Sequence, residues 1–395
     1  MGWIWQQADW PGFHWQDEVL QPRLRSLHRM LGQLLGSSSA IAPNQELDTL
    51  VASIMASSAI EGEALNAQSV RASVAKLLGL VEVEHLSTSE RTDGLAAMLM
   101  DAIGDPQSKL SFERLMQWHR WLFPESDPSS GTINGGQLRE DGPMQVVSGR
   151  FDQIVVHFEA PPRVGLEQEL QQFIEWFNES RFNPILDPLL RAAVCHFWFV
   201  TLHPFADGNG RITRVLADLA LAQADQQTIR LYAMSLTIFE LRDRYYQLLE
   251  QTQRGSLDIT AWLAWFLDTL GESVRSAITQ AQADSYRTAF WQQHQAIRLL
   301  PAQRMVLDHL LDGCAQGSNK SVCASQYQKW TGVSKATASR HLADLVTQAC
   351  LVKLPGGGRN SRYQVATMGL SNLGRSSRII HGCNSTSGGC TKTVP

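Results

Sequence analysis

The chain has 395 residues, of which 44% are hydrophobic and 18% are charged, so two or three ordinary globular domains are expected and broad disorder is excluded. It shows neither a run of about 18 apolar residues nor a leader with a basic start, which predicts a soluble protein without a membrane span. The six cysteines have no zinc-binding spacing, and reduced thiols in a cytoplasmic protein are expected.

The net charge of −4 is distributed unevenly along the chain. The stretch from Pro301 to Pro395 holds eleven Lys and Arg but three Asp and Glu, a balance of +8, so the part before it carries about −12. A basic C-terminal region on an acidic body predicts that any contact with nucleic acid lies at the C-terminal end.

Helical patterns dominate the first 125 residues. After a tryptophan-rich extended piece, VLQPRLRSLHRMLGQLL repeats apolar residues every three to four positions. Further helices are predicted for NQELDTLVASIMASSAIEGEAL, DGLAAMLMDAIG and SFERLMQWHRWLF, the last with Ser111 as its N-cap. The first of these patterns predicts one apolar helix face that consists of Val19, Leu20, Leu24, Leu27, Met30, Leu31, Leu34 and Leu35.

The pattern changes between Pro124 and Pro162. A loop rich in Gly, Pro and Ser precedes the β-branched pieces MQVVSG and IVVHFEAPP, which could pair as a hairpin. Helical patterns then return and continue through Leu270. The fold class predicted for this part of the chain is therefore mainly α, with one small β element.

A different design begins near Leu300. Two helical segments flank a short turn from Thr331 to Val333, and two strands are predicted around GGGRN. This order of elements predicts a winged helix-turn-helix. The last stretch, residues 369–395, has a polar, low-complexity composition typical of a disordered tail.

The segment SKATASRHLADL would be the recognition helix of this module, with His341 among the side chains that it presents. A winged helix used for protein contact or dimerisation, including a homodimer, is the alternative to binding of duplex DNA. The cationic residues that could meet DNA phosphates or base edges are Lys335, Arg340, Arg359 and Arg362.

The stretch HPFADGNGRITR, which begins at His203, has the composition of a phosphate site. Its glycines allow backbone N–H groups to approach an anion, and the N-terminus of the following helix adds unpaired donors. Arg211 and Arg214 add positive charge one turn apart. Asp207 fits such a site if it holds a cation that bridges phosphates, most simply Mg²⁺, and His203 could take a proton from an attacking hydroxyl.

An ordinary polar loop between two helices, with a surface histidine, is the simpler alternative for this stretch. Any one of its residues alone would favour that alternative. Seven specified positions within twelve residues favour a site for nucleotidyl or phosphoryl transfer instead.

At every specified position the stretch resembles the Fic family signature H-x-F-x-(D/E)-G-N-G-R-x-x-R. The predicted hairpin and the downstream Tyr-Tyr and DIT-W pieces also resemble this family. The opening WIWQQADWPGFHW and the C-terminal winged helix resemble a bacterial subgroup of it. The resemblance implies a Fic-type helical core with a hairpin flap. It also implies a protein adenylyltransferase, which moves AMP from ATP to a Ser, Thr or Tyr hydroxyl of a target protein or of itself.

The resemblance also implies residue roles. His203 would be the base, Phe205 an anchor of the loop, and Asp207 the Mg²⁺ ligand, while Arg214 would bind the γ-phosphate. The residues implied to line the phosphates are Gly208, Asn209, Gly210 and Arg211. The hairpin residues implied to position the target and line the nucleotide are Val146, Val147, Ser148 and Gly149. The residues implied to lie beside adenine are Tyr245, Tyr246 and Gln253.

A second pattern lies in SSAIEGE, where Ser57, Glu61 and Gly62 match the family's inhibitory sequence (S/T)-x-x-x-E-(G/N). The resemblance implies that Glu61 competes with ATP for Arg214. Hundredfold inhibition requires about 2.7 kcal/mol, whereas a surface ion pair contributes roughly 0 to 1 kcal/mol. We therefore expect Glu61 to meet Arg214 inside the pocket. An ordinary helix end with Gly62 near its C-cap is the alternative.

The resemblance implies an inhibitory N-terminal region over 1–90, a Fic core over 91–275, a winged helix over 290–368 and a disordered tail over 369–395. Three functional alternatives stay open. The chain could remove AMP as well as add it, it could use another nucleotide donor, or it could be a DNA-binding regulator whose Fic domain senses nucleotide with little turnover.

Overall fold

The computed structural model describes residues 2–37, 43–80, 87–125, 133–150, 153–224, 231–315, 321–356 and 361–366. The chain divides into two compact units, Met1–Ser285 and Tyr286–Pro395. The described residues are mainly helical, as predicted. Among these residues, no helix is both long and apolar enough to cross a bilayer.

The first unit begins with a short 3-10 helix, Ile4–Gln6, and five α-helices. These helices are α1 Asp17–Ser37, α2 Pro43–Ile60, α3 Ala67–Leu77, α4 Glu90–Gly104 and α5 Phe112–Leu122. Ser111 caps α5 as predicted, since its Oγ accepts a hydrogen bond from the backbone N–H of Arg114.

The apolar face predicted for α1 is correct in its centre and wrong at its first residue. Leu20, Leu24, Leu27, Leu31 and Leu34 are buried, whereas Val19 is 37% exposed. Successive residues of a helix are about 100° apart, so Val19 lies about 100° from Leu20, at the edge of the leucine stripe.

The hairpin predicted after the Gly/Pro-rich loop is confirmed. Strands β1, Gln145–Arg150, and β2, Gln153–Glu159, pair antiparallel, with an irregularity in register between Val146 and Val147. Six helices follow, α6 Leu166–Ser180, α7 Pro188–Leu202, α8 Asn209–Ala224, α9 Met234–Glu240, α10 Arg242–Gln253 and α11 Thr260–Gln293.

Helix α11 continues beyond Leu270, where the sequence analysis ended its helical pattern. Val274, Ala277 and Ile278 are buried after Leu270, so the apolar face simply continues at helical spacing. Gly271 inside this helix costs about 1 kcal/mol relative to Ala, which the burial of this face outweighs.

Helix α7 lies at the centre of the first core, because every residue from Leu189 to Leu202 is buried. Most of α8 is buried as well, and these two helices form a closely packed pair. The loop that joins them, residues 203–208, is therefore held between two fixed helix ends.

After the end of α11, the described residues of the second unit form three short helices and a two-stranded sheet around a separate core. Gly332, with φ of +72°, ends one of these helices, and Ser334 caps the next through the N–H of Thr337. The predicted tail, 369–395, lies outside the described residues. The elements are α12 Pro301–Ala315, α13 Ala324–Thr331, α14 Lys335–Thr347 and the antiparallel strands β3 Leu351–Lys353 and β4 Tyr363–Val365.

Candidate active site

His203 ends helix α7 in a left-handed conformation, with φ of 49°. Pro204 follows it and has no N–H to continue a helix. The Nδ1–H of His203 donates to the carbonyl of Val200, 3.2 Å away, which leaves Nε2 as the unprotonated nitrogen. Burial, with a smaller contribution from nearby Arg139, lowers the pKa of His203 to about 4, so the ring is neutral at pH 7 and able to accept a proton.

The loop after His203 is shaped by the side chain of Asn209, by the buried ring of Phe205 and by the close approach of Gly208 to Leu122. Asn209 accepts the N–H of Phe205 at 3.0 Å and donates to the carbonyl of the same residue at 2.8 Å, while the Phe205 ring is fully buried. Gly208 has φ of +83°, and a Cβ there would lie 2.6 Å from Leu122. The Asn209 side chain thus fixes the loop itself, while its implied role was to line phosphates.

Two buried residues that the sequence analysis missed hold this loop from outside. The His119 ring stacks on Phe205 at 4.2 Å, accepts the N–H of Gly136 at Nδ1, and donates from Nε2 to the carbonyl of Asp207. Arg139 donates to the carbonyls of His203 at 2.9 Å and of Pro161 at 2.6 Å. No fixed spacing links these residues to the loop, so the sequence offered no signal for them.

Helix α8 presents its N-terminus and two buried arginines to the site. Arg211, whose side chain is 4% exposed, binds Glu63 through Nη1 at 2.6 Å and Asp207 through Nη2 at 3.3 Å. The Asp207 side chain is half exposed, at 51%. Glu63 was not predicted, although it lies two residues after Glu61.

Arg214 is bound by the last turn of α2 and by the turn that follows this helix. Its Nε donates to Ser57 Oγ at 2.8 Å, and its Nη2 donates to the carbonyl of Ser57 at 2.8 Å and to Glu61 Oε1 at 2.7 Å. The Arg214 side chain is 2% exposed. Burial disfavours its charge, but the carboxylate of Glu61 acts in the opposite direction, and the pKa of Arg214 is raised.

Gly210 allows Glu61 to come this close. A Cβ on Gly210 would overlap the Glu61 carboxylate and would lie 3.2 Å from Nη1 of Arg214. Since Gly210 is in the first turn of α8, the carboxylate occupies the end of the helix where backbone donors and the dipole favour an anion.

Gly62 fixes the turn that carries Glu61. With φ of +79°, it ends α2 in the left-handed conformation, and its N–H donates to Ala59 while that of Glu63 donates to Ser58. This pair of bonds is a Schellman cap, in which glycine avoids the strain that a side chain would introduce.

The three residues implied beside adenine differ in exposure. Tyr245 is 1% exposed, and its hydroxyl lies 3.1 Å from Nε2 of His196; Gln253 is buried as well and donates to Thr201 Oγ1 at 3.2 Å. Tyr246 is 43% exposed and donates to the carbonyl of Ile60. The role of these three residues beside adenine stays a prediction.

The hairpin is attached to α10 by side chains that the sequence analysis did not single out. Ser148 Oγ lies 2.5 Å from Nε2 of His157, whose Nδ1 lies 2.8 Å from Glu250. Arg254 donates to the carbonyl of Val156 at 2.7 Å. The predicted flap residues lie on β1, where Val147 is 50% exposed, Val146 is 37% exposed and Gly149 pairs with Ile154.

In the second unit, Lys335, Arg340 and Arg362 are exposed, and Arg362 donates to Ser321 Oγ at 2.9 Å. Arg359 lies outside the described residues. His341, expected on the presented face of α14, is buried with Nδ1 at 3.0 Å from the hydroxyl of Tyr327. That expectation was wrong because His341 packs into the apolar side of the helix beside Leu342.

Two stretches of the chain match known families. Residues 109–221, which contain the loop after His203 and both arginines, match the Fic/DOC family. Residues 3–80, which contain Glu61, match a domain of unknown function (DUF4172). Residues 109–221 are therefore similar to the Fic/DOC family.

Curated relatives of this domain are named protein adenylyltransferases. Protein adenylyltransferase fic-1 of Caenorhabditis elegans is 28% identical over 202 residues, which cover 50% of this chain and 36% of that protein. Protein adenylyltransferase Fic of Drosophila willistoni is 29% identical over 150 residues, 38% of this chain and 26% of that protein. The match thus spans about a third or less of the length of these relatives.

Among solved structures, a Fic family protein from Desulfovibrio desulfuricans G20 aligns with 88% of this chain and 97% of its own. The identity is 19% and the TM-score is 0.49.

Proposed function

We propose that this chain is a protein adenylyltransferase, which transfers AMP from ATP to a Ser, Thr or Tyr hydroxyl of a target protein. The names of the curated relatives support this reaction class. The carrying observation is the position of Glu61, whose carboxylate binds Arg214 at 2.7 Å at the N-terminus of α8. The helix N-terminus favours an anion at that position. The neutral ring of His203 is near enough for the charge of Glu61 to affect its pKa.

In the proposed reaction the target hydroxyl oxygen attacks the α-phosphorus of ATP, and the bond from this phosphorus to the bridging oxygen of the β-phosphate breaks. Pyrophosphate leaves, and the hydroxyl proton passes to Nε2 of His203. The bond from Nδ1 to Val200 supports this assignment, because it leaves Nε2 unprotonated and orients the ring.

The phosphates would be bound by backbone N–H groups of the α8 N-terminus, by Arg211 and by Arg214. Asp207 fits the implied Mg²⁺, since this ion is usually held by one or two carboxylates together with substrate phosphates. The absence of a three-residue metal cluster among the described residues is compatible with that arrangement. When bound, Mg²⁺ would neutralise phosphate charge.

We further propose that Glu61 inhibits the transfer by competing with the γ-phosphate for Arg214. The contact is buried on the arginine side, where the charge is weakly screened. Ser57 supports this arrangement through two bonds to the same guanidinium. ATP must displace Glu61 to use Arg214.

The test is incubation of the chain with α-labelled ATP, with and without cell lysate, followed by mass spectrometry of labelled proteins. Glu61→Gly should raise labelling of target and chain at least tenfold, since losing about 1.4 kcal/mol of inhibition is enough for that factor. His203→Ala in the Glu61→Gly background should abolish it. Labelling that survives His203→Ala would overturn the reaction, and equal labelling by wild type and Glu61→Gly would overturn the inhibition.

Three further measurements address the alternatives. Excess unlabelled UTP or GTP that suppresses labelling would assign another nucleotide donor. Faster loss of label from modified protein with wild type than with Glu61→Gly would show that the chain also removes AMP. Nucleotide binding without any labelling would favour the sensor.

The second unit supports a second proposal, a winged helix that binds duplex DNA. Lys335 and Arg340 are exposed on α14, the expected recognition helix.

Retention of the full chain on duplex DNA should weaken as salt rises and should weaken further in Lys335→Ala/Arg340→Ala. The charge-matched variant Arg25→Ala/Arg29→Ala in α1 should bind as wild type, and equal retention of the two double variants would overturn the assignment. A homodimer and a cytoplasmic location stay predictions.

A further inference from the structure

Glu63 is bound by two arginines at once. Its Oε2 lies 2.6 Å from Nη1 of Arg211, and Arg91 of α4 donates to both of its oxygens, at 2.7 Å and 3.0 Å. Both guanidinium groups lie over the ring of Phe123, at 5.1 Å and 5.3 Å from its centroid. The Glu63 carboxylate is therefore fixed between two cations that both contact one aromatic ring.

We propose that Glu63 is a second inhibitory carboxylate, which withholds Arg211 from phosphate as Glu61 withholds Arg214. This inference rests on the proposed function of the site. Arg91 holds Glu63 in place by its two bonds, since paired hydrogen bonds to a carboxylate fix its orientation.

The two carboxylates belong to one turn. The Schellman cap at Gly62 fixes the backbone of residues 61–63 through the N–H bonds to Ala59 and Ser58. A displacement of this turn therefore moves Glu61 and Glu63 together. One movement releases both arginines.

The charges of the site support this pairing. Arg91, Arg211 and Arg214 carry three positive charges, and their carboxylate partners Glu61, Glu63 and Asp207 carry three negative charges. With a neutral His203, these three pairs carry no excess charge to attract a triphosphate. Withdrawal of the turn would remove two negative charges and leave an excess of +2 on the residues that remain.

Glu63 is ionised in this position. Burial raises the pKa of its carboxyl group, but its bonds to Arg91 and its proximity to Arg211 lower the pKa more, and the net shift is downward. At pH 7 the carboxylate therefore competes with phosphate for Arg211 as a full charge.

A positioning role is the opposite interpretation. If Glu63 held Arg211 in the geometry that phosphate needs, its loss would weaken nucleotide binding and slow transfer. The sign of the effect of Glu63→Gln, which keeps the shape and removes the charge, separates the two interpretations.

The experiment measures the Kd of labelled ATP in a His203→Ala background, so that the result does not depend on turnover. Glu63→Gln should lower this Kd about three- to tenfold, because it removes one charge-assisted bond that competes with phosphate for Arg211. Glu63→Ala serves as a second variant if the amide disturbs folding, which thermal unfolding would reveal. An unchanged or higher Kd in the folded variant overturns the inference.

Asp101→Asn is the matched control. Asp101 binds Arg114 at 2.7 Å, Arg114 lies over Trp118 at 5.3 Å, and the pair is about as buried as Glu63 and Arg91. This variant should leave the Kd of ATP unchanged. A decrease equal to that of Glu63→Gln would assign the effect to net charge alone and would overturn the inference.

Transfer assays with intact His203 separate this inference from the proposed function. Glu61→Gly/Glu63→Gln should label at least as fast as Glu61→Gly, and slower labelling would show that Glu63 positions Arg211. If Glu61→Gly shows no labelling at all, the proposed transfer fails, while the ATP affinities still decide whether Glu63 withholds Arg211.

Discussion

The carboxylate of Glu61 and the guanidinium of Arg214 lie 2.7 Å apart, although 153 residues separate them in the chain. Arg214 is almost completely buried, so its charge depends on the carboxylate for compensation. The contact thus stabilises the fold while it occupies the proposed phosphate site. Stability and nucleotide binding are therefore coupled at Arg214.

This coupling predicts the thermal behaviour of Glu61→Gly. Without ligand, the variant should be destabilised by roughly 2 to 5 kcal/mol, because it leaves a buried cation without its partner. Saturating ATP should raise its melting temperature more than that of wild type, because phosphate replaces the lost carboxylate and binding no longer competes with Glu61. Differential scanning fluorimetry with and without ATP measures both effects.

The control for this prediction is Glu167→Gln, which removes a carboxylate that binds Arg163 at the surface. Such a pair contributes roughly 0 to 1 kcal/mol, so both its melting temperature and its response to ATP should match wild type. An equal ATP response in Glu61→Gly and wild type would contradict the coupling.

The helices and the loop after His203 could be predicted because their signals are local. Apolar spacing, glycines and the N-cap Ser111 act within a few residues, so α1, α5 and the hairpin could be predicted from the sequence. The errors at Val19 and His341 arose because an apolar pattern fixes the direction of a helix face but not how far that face extends to either side.

The rest of the site could not be predicted, because it is assembled by residues far apart in the chain. His119 and Arg139 reach the loop from α5 and from the segment before the hairpin, and Glu63 reaches Arg211 across 148 residues. None of these contacts has a fixed spacing. The approach of Glu61 to Arg214 was expected through the family resemblance, which carries information about three-dimensional contacts that spacing does not.

The pKa of His203 predicts the pH dependence of transfer. The neutral ring is the proposed base, so kcat/KM of Glu61→Gly should fall only as pH decreases to about 4 or lower, because burial lowers the pKa of His203 to about 4 and loss of the Glu61 charge lowers it further. Between about pH 6 and pH 8 the rate should be nearly constant with respect to this group, since an ordinary histidine would titrate near 6.5. Initial rates in matched buffers, with circular dichroism as a check of folding at each pH, measure the profile. A midpoint at or above 6.5 would contradict it.

His119 should act on the loop through Asp207. His119→Leu removes one bond to the carbonyl of Asp207 and one to the N–H of Gly136. Both bonds are partly exposed, so each loss should cost at most about 1 kcal/mol, the lower end of the cost of an unsatisfied buried group. We expect lower stability and, in the Glu61→Gly background, a higher KM for ATP. Chemical denaturation and transfer kinetics at a temperature where the variant is folded measure the two effects.

The comparison for His119→Leu is His309→Leu, which replaces an exposed histidine packed against Trp330 in the second unit. It should leave the KM for ATP unchanged. If His119→Leu lost stability but kept both its KM and its kcat, His119 would support the core without shaping the site.

Asp218 predicts a pH dependence of stability. It lies one turn after Arg214 and lines a small cavity with Ser57 and Ser235, and burial raises its pKa to about 7 against 3.8 in an exposed position, although Arg214 acts in the opposite direction. Between these two pH values the folded chain retains a proton that the unfolded chain releases. The free energy of unfolding should therefore be highest, as far as Asp218 is concerned, below about pH 4. It should decrease as pH rises from about 4 to about 7, because the folded chain loses this proton advantage.

Asp218→Asn should remove this dependence, because asparagine is neutral at every pH. Above pH 7 it should be more stable than wild type by a few kcal/mol at most, since one pKa unit corresponds to about 1.4 kcal/mol, and the difference should vanish towards pH 4. Denaturant unfolding between these limits measures it, with the exposed Asp243→Asn as a control that should follow wild type. Parallel pH profiles for Asp218→Asn and wild type would show that Asp218 is ionised in the folded chain. In that case the carboxylate of Asp218 would compensate the buried charge of Arg214 when Glu61 moves away.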